Sequence, residues 1–413
     1  MSRSTPPADA ATKPSSLRVT LTDPLYRGAT IALFISGLGA SAAAPQIARF
    51  LVQDLGASLT VAGLYYLTNL TAPLAGFLIG ARSDHTGNRL GLFRGCAVIG
   101  FVGWVLIAFS THVWMPFVIS ALVLGFAGAA GSQLFAAIHD NLQAHDTNVA
   151  DGVTSIVRMA LTAGWVVGPV LGAFLAAAFG FRTLLLFTGF ASFAQILPLG
   201  FLRDTSPVDL PFPDDAAGEQ VVARQGFRVM LPLLAFTGLY VLVYAGEPIK
   251  YAYLPIYMDQ NLGLSAFLSG AIIGIQPLVE LALMPVAVLV ARRIGLMTLM
   301  VIGAGLGILA NLCFAFTGSA VGLFTGQILM GGVWAVFAAL GIIVAQRLLP
   351  TAVATASAIF MSSVAIASAL GGLTGGLGVA ALGLPLVFLG PALYGVLATI
   401  GLFMMTRSRH NIR

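Results

Sequence analysis

Charge is what this 413-residue chain has least of: 8% of it is Asp, Glu, Lys or Arg, against 58% hydrophobic residues. Soluble domains carry about 25% charged residues, so a soluble fold of this length is excluded. Lysine is nearly missing, with only Lys13 and Lys250. A GxxxxGK[ST] phosphate-binding loop needs a lysine in a glycine-rich turn, and neither residue has that setting, which excludes ATP hydrolysis by this route. The two cysteines, Cys96 and Cys313, both fall inside apolar runs. That argues against a disulfide framework and for two buried thiols acting as small hydrophobes. None of the five histidines belongs to an HExxH metal motif, and none lies in the interior of an apolar run, His139 standing at the charged end of span 4. A GxSx element at Gly263–Ala266, of the kind found in intramembrane serine proteases, therefore lacks a base within the membrane. No enzymatic activity, metal or cofactor is expected. The first stretch, Met1 to Thr22, lacks the apolar core of a signal peptide and reads as a disordered tail. The net charge of +5 is spread thinly along the chain, a pattern that points to membrane topology and not to nucleic acid.

Long hydrophobic runs are what the chain does have. A membrane-spanning helix needs about 20 mostly apolar residues. Runs bounded by charged or Pro/Gly-marked breaks predict twelve spans, at 28–51, 59–81, 92–111, 114–141, 150–178, 182–202, 228–252, 265–291, 296–317, 320–347, 352–379 and 383–405. The only long polar gap, 203–227, contains DTSPVDLPFPDDAAGEQ and divides the spans into two groups of six. The expected organisation is a tail at 1–27, a six-helix bundle at 28–202, a linker at 203–227, a second bundle at 228–405 and a basic tail at 406–413. The second bundle reads as a copy of the first. Shifting span 5 by 203 residues lays Gly168, Gly172 and Gly180 on Gly371, Gly375 and Gly383, and Thr154 on Ser357. The fold class is thus an all-α membrane protein of two pseudo-symmetric bundles.

Orientation follows from the basic residues, which concentrate on the cytoplasmic side of membrane proteins. If Gly80–Arg94 is cytoplasmic, so are sixteen of the twenty Lys and Arg residues, together with both termini. Arg49 and Arg182 lie on the other side, and Arg158 and Lys250 lie within or near spans. The turn between spans 4 and 5 dissents, being acidic (Asp140, Asp146, Asp151) with no basic residue. An inner-membrane protein, monomeric and surrounded by lipid, is the expectation.

Ionisable groups inside spans cost roughly 2.5–3.5 kcal/mol each on insertion scales and point to function. Glu280 lies near mid-membrane in QPLVELALMP. Desolvation of such a carboxyl favours taking up and releasing protons. Glu247 and Lys250, in YAGEPIKY, are spaced to pair on one helical face, and Pro248 between them interrupts the helix. Glu280, Glu247 and Asp140 are the candidate proton-coupling carboxylates. Arg158, about 10 Å into the membrane, is either the partner of Asp140 or a group that holds substrate oxygens. Asn69, Gln133, Gln276, Asn311 and Gln327, with Tyr65, Trp165 and Trp334, describe a polar but weakly charged cavity suited to a polyol. Each is equally readable as helix-to-helix glue. Span 5 holds GWVVGPVLG, where Gly168 and Gly172 permit close backbone approach and Pro169 loosens the rod.

The turn GARSDHTGNRLGLFR carries Gly80, Asp84, Gly87 and Arg89 in the pattern G-x3-D-x2-G-x-R. It resembles the turn between helices 2 and 3 of the major facilitator superfamily of secondary transporters. His85 and Asn88 stand where that superfamily usually has arginines. The span 5 pattern G-x3-GP-x2-G resembles an element associated with exporters of the superfamily. APQIARFLVQDLGA, GLYYLTN, SQLFA, SIVRMALTAGWVVGP, LPIYMDQNLGL and VELALMP resemble the bacterial sugar efflux transporter family more narrowly. That resemblance implies export of sugars in exchange for protons, driven by the proton gradient with no cofactor. It also implies that Asn69, Gln133, Arg158 and Glu280 line the cavity. Gly80, Asp84, Gly87, Arg89, Gly168, Pro169 and Gly172 then become gating elements, with Asp84 placed to latch against the N-terminus of span 11. Glu247 and Lys250 fall outside that family's pattern. A multidrug exporter and a non-transporting membrane sensor on the same fold are the alternatives.

Overall fold

The computed structural model describes residues 15–144, 149–203 and 227–408. Among these residues there is no strand. Twelve helices are long and apolar enough to cross a membrane: Pro24–Gln53, Leu59–Thr86, Arg89–Ala108, Trp114–Gln143, Gly152–Phe179, Phe181–Leu199, Val229–Asn261, Ala266–Ile294, Leu296–Phe316, Ala320–Leu348, Thr355–Leu382 and Leu386–Arg407. They are spans 1 to 12 below. The end of the molecule that carries the Gly80–Arg94 turn is called the basic end. The linker at 203–227 falls almost wholly outside the described residues, as do Asp146 and the far ends of both tails.

Helix ends sit where the sequence supplies caps. Span 1 begins earlier than its apolar run because Asp23 accepts from Leu25 N at 2.8 Å and Pro24 occupies the first turn. Span 2 ends at Gly87, whose φ of +63° is the left-handed conformation a residue with a side chain adopts at a cost. The N-terminal tail is not disordered throughout, as its polarity suggested. Ser16–Thr22 forms a short helix capped by Ser15, with Thr20 buried and Leu17 and Leu21 exposed. The cap and the packing of this helix on spans 1 and 5, neither visible to composition, accompany its order.

Glycines in span 5 face span 1. A Cβ on Gly164 would lie 2.6 Å from Leu38 N, one on Gly168 2.7 Å from Leu38 O, and one on Gly172 2.8 Å from Ala42 Cα. Span 11 treats span 7 the same way: Gly371 backs onto Ala245 and Pro248, and Gly375 onto Ile249 and Tyr253. The opposite faces of these two spans join the halves. Gly270 and Gly274 of span 8 lie against Val170 and Val166 of span 5, and Gly372 and Gly376 of span 11 lie against Gly63 and Thr60 of span 2. Gly168 and Gly371, and Gly172 and Gly375, thus occupy equivalent places in two equivalent bundles. Pro169 sits inside a helix that runs unbroken from Ala150 to Phe179.

Both inter-half seams close at the end opposite the basic one. Tyr253 Oη donates to Leu59 O at 3.1 Å, and Arg49 of span 1 pairs with Asp259 of span 7 at 2.9 Å, while Gln53 donates to the same carboxylate at 3.0 Å. Toward the basic end the same helices part. Met159, on the face of span 5 that meets span 8 further along, is 52% exposed, and Phe77 of span 2 is 71% exposed. Gly76 and Gly80 have nothing within 4 Å of a would-be Cβ. The molecule is closed at one end and open at the other.

Candidate functional site

Span 7 breaks its α-helical geometry near its middle, and a buried ion pair sits beside that break. In span 7 the helix Phe227–Tyr244 stops and a new segment, Gly246–Ile256, begins after Ala245. Glu247 lies in its first turn and Lys250 one turn on, both buried. Lys250 Nζ donates to Glu247 Oε1 at 2.8 Å and to Oε2 at 2.7 Å. It also donates to Gln276 Oε1 of span 8 and stands 4.6 Å from the Tyr251 ring centroid. Trp334 Nε1 of span 10 donates to Glu247 Oε1 at 2.7 Å. Each charge is therefore paired and hydrogen-bonded, which is what a fully desolvated ion pair requires. The pairing follows from the i, i+3 spacing, while the Trp334 and Gln276 contacts have no signal in the sequence.

Glu280 lies one helical turn beyond Gln276 toward the basic end, on the same side of span 8. It is half-buried, and among the described residues its carboxyl has no hydrogen bond or ion pair. Tyr240 and Tyr244 lie within electrostatic reach of it. Tyr244 packs edge-on against Trp334 with ring centroids 5.0 Å apart, and Tyr240 against Phe360 at 4.5 Å. Across the seam, Trp165 of span 5 meets Tyr251 at 6.3 Å. An aromatic wall thus surrounds one unpaired acid above a neutralised pair.

The amides expected to line a polyol cavity are distributed differently. Gln133, Gln276, Asn311 and Gln327 are all buried. Gln276 is taken by Lys250, and Asn311 Nδ2 donates to Gly307 O at 2.8 Å within its own helix. Gln133 Oε1, Asn311 Oδ1 and both polar atoms of Gln327 are buried without a partner among the described residues. Tyr65 is buried against Phe117, at 5.6 Å. It lies in Tyr65–Thr71, a 3-10 stretch in mid-span 2 that the apolar run does not announce and that Pro73 follows. Asn69, from the same stretch, is exposed and donates to Ser368 Oγ of span 11 at 2.7 Å, across the seam. The open wall beyond is apolar. A cavity of about 530 Å³ between spans 7 and 11 is lined by residues such as Leu234, Val241, Ile359 and Ile366, with Thr237 and Ser362 its only hydroxyls.

At the basic end, Asp140 does not reach Arg158. Arg89 Nε donates to Asp140 Oδ2 at 3.0 Å, and its Nη1 donates to Ser83 Oγ at 2.8 Å and to Asp84 Oδ1. Arg89, at the start of span 3, is nearer the mouth than Arg158 and captures both carboxylates. Arg94 Nη2 donates to Gly200 O at 3.0 Å and so ties span 3 to the end of span 6. Asp84 is thereby held within its own half. Arg158 is exposed and has no side-chain partner among the described residues. The two arginines at the far end are both accounted for. Arg49 pairs with Asp259, and Arg182 stacks 5.2 Å over Phe109 and donates to Ala108 O. Burial raises the Asp54 carboxyl above its ordinary range, and the nearby Arg182 opposes that shift.

A fold of two six-helix bundles with broken helices around a mid-membrane acid defines a class, the polytopic secondary transporters. The model of the Major Facilitator Superfamily matches residues 29–324 and 236–413, and the chain belongs to that family. It is 26% identical over 360 residues to "Sugar efflux transporter A" of Escherichia coli (strain K12), a match covering 85% of this chain and 88% of that protein. Among solved structures, a mutant of the nucleoside transporter NupG superposes with a TM-score of 0.79 at 17% identity, covering 92% of this chain and 99% of that one. A D-xylose-proton symporter superposes with a TM-score of 0.74 at 16% identity, covering 92% and 97%. These two structures agree with the fold described above.

Proposed function

We propose that the chain exports sugars or sugar-like small solutes by alternating access, in exchange for protons. The carrying observation is Glu280, a half-buried carboxyl in the middle of span 8 without a hydrogen-bond or ion-pair partner among the described residues, in a chain whose relatives include sugar efflux transporters. A carboxylate left unpaired in a low-dielectric cavity is costly and gains from taking a proton. Glu280 is the proton carrier. Glu247, tied up by Lys250 and Trp334, is the fixed counter-charge beneath it. Arg158, free on the opposite wall, and Asn69 are the groups that meet a solute in this conformation. Gln133, buried with an unpartnered carbonyl, becomes available when the helices shift.

Since Lys and Arg concentrate on the cytoplasmic side, the basic end faces the cytoplasm, both termini lie there, and the conformation described is open inward. Energy comes from the proton gradient and no cofactor is used. The protein acts as a monomer in the inner membrane. The apolar wall between spans 7 and 11 favours a second reading, export of amphipathic drugs.

One screen separates the two: purified protein in proteoliposomes, with radiolabelled sugars and cationic drugs tested for counterflow and for flux under an imposed pH gradient. Sugar counterflow is expected. Glu280→Gln is expected to retain counterflow while its gradient-driven flux falls to that of protein-free liposomes. Absence of any flux would sink the transporter reading, and gradient-driven flux at the wild-type rate in Glu280→Gln would sink the carrier assignment.

A further inference from the structure

Two unpaired charges face the same cleft from opposite halves, and the helix register puts them at one level. Span 8 runs antiparallel to span 5, with Gly270 against Val170 and Gly274 against Val166. Continuing that register toward the basic end sets Arg158 of span 5 opposite position 282 of span 8. Glu280 is two residues away, about 3 Å along the axis at 1.5 Å rise per residue.

Rotational position agrees. Arg158 lies seven residues before Trp165, hence on the same face two turns along, and Trp165 touches Tyr251 of span 7. Glu280 lies four residues after Gln276, again on one face, and Gln276 holds Lys250 of span 7. Both side chains therefore point past the direct span 5–span 8 contact into the central cavity. The helices touch at the glycines and diverge beyond them, and this divergence leaves Arg158 exposed and Glu280 without a partner.

We propose that Arg158 is the partner Glu280 acquires when the halves close at the basic end, so that a Glu280–Arg158 ion pair, broken by protonation of Glu280, locks that end shut. The inference rests on the transporter reading and on Glu280 as carrier, and assigns Arg158 a second task beside meeting the solute. Closing the cleft removes water from both groups, which is tolerable for a mutually bonded pair and costly for either charge alone. A neutral Glu280 offers Arg158 no such partner, so the protonated protein stays open at the basic end. The cycle then has the sign export needs. Solute arriving from the basic end displaces the proton, the ionised Glu280 closes that end on Arg158, and a proton taken up from the other side releases the lock.

Other titratable groups near Glu280 do not provide this. From span 7, Glu247 and Lys250 satisfy each other, and Tyr240, Tyr244 and Tyr251 bring no cation. Spans 9 and 10, which also pack on span 8, carry no ionisable side chain except Cys313 and, at the basic end, Arg347. From span 5, Arg158 is the one described charge.

The test reads distance and needs no solute. Spin labels at Thr154→Cys and Val286→Cys, in a protein with Cys96 and Cys313 replaced by Ser, report the gap between spans 5 and 8 at the basic end. Raising the pH from about 5 to about 9, across the range where carboxyls in apolar sites titrate, is expected to shift the population from the long to the short distance. Arg158→Gln and Glu280→Gln should each abolish the shift. Arg158→Lys should keep it, and the exchange Arg158→Glu with Glu280→Arg should restore it. A full shift in Arg158→Gln, or none in the exchange variant although wild type shifts, overturns the proposal. Because these distances are read without transport, an intact shift beside absent flux would condemn the transporter reading and leave the pair standing.

Discussion

Lys250 is among the largest fully buried side chains of the protein, and its ammonium is stabilised by one carboxylate, one amide and one aromatic face. Removing a single partner from such a pair leaves an uncompensated charge in a water-free site. Lys250→Met is therefore expected to destabilise the protein by about 3–5 kcal/mol, because Glu247 remains, while replacing both members with neutral groups is far less costly. Thermal unfolding in detergent checks this. Glu247→Gln with Lys250→Met should recover most of the loss. A double variant as unstable as Lys250→Met alone would mean that the pair is not what holds these spans together. Glu280 differs in kind, since among the described residues no hydrogen bond or ion pair holds its carboxyl in this conformation. Substituting Gln there removes an ionisable group and no contact, so Glu280→Gln should unfold no earlier than wild type.

At the scale of helices, glycine placement decides which faces close. A Cβ on Gly376 would sit 2.8 Å from Thr60 O, a backbone atom that cannot swing aside. Gly376→Val should force spans 2 and 11 apart at the end opposite the basic one. Faster maleimide labelling there, at a cysteine replacing Thr60, would register it. Gly80→Ala should leave that labelling unchanged, because Gly80 faces open space in this conformation. Equal effects of the two substitutions would contradict the assignment of seams to conformations.

Much of this level was legible in the chain. Twelve apolar runs, the span 5 glycines and their echo in span 11 depend on local pattern, and a helix in a membrane must satisfy its backbone locally. What escaped the pattern is non-local. The 3-10 stretch at Tyr65–Thr71 lies in an otherwise apolar run, and its packing against span 11 has no signal in the sequence, although Pro73 just beyond it removes one α-helical hydrogen bond. The buried amides read as cavity residues because composition cannot tell an inward face from a helix-to-helix face. Asp140 was matched to Arg158 by depth, whereas Arg89, one span over, was the nearer cation.

For the molecule as a whole, the question is what sets the balance between its two open states. The closed end is fastened by Arg49, whose side chain is 12% exposed, and Asp259, 39% exposed. Arg49 is held in place by Gln46 Oε1 at 3.2 Å and by the Phe181 ring 5.5 Å away, so little side-chain entropy is lost on pairing. A partly exposed pair is screened by solvent and worth at most about 1 kcal/mol. An increment of that size changes a two-state equilibrium by roughly fivefold, since 1.4 kcal/mol is tenfold. Arg49→Gln should therefore raise the ratio of molecules open at that end to those closed by about this factor. Asp259→Asn should give a somewhat larger shift, because it also weakens the Gln53 contact. Spin labels at His112→Cys and Gln260→Cys, one in each half at this end, read the populations directly. The two substitutions combined should shift the equilibrium little more than Asp259→Asn alone, since each removes the same bond. Fully additive shifts, or an unchanged distance distribution in Arg49→Gln, would show that the glycine seams alone hold the closed end and that this ion pair plays no part in the balance.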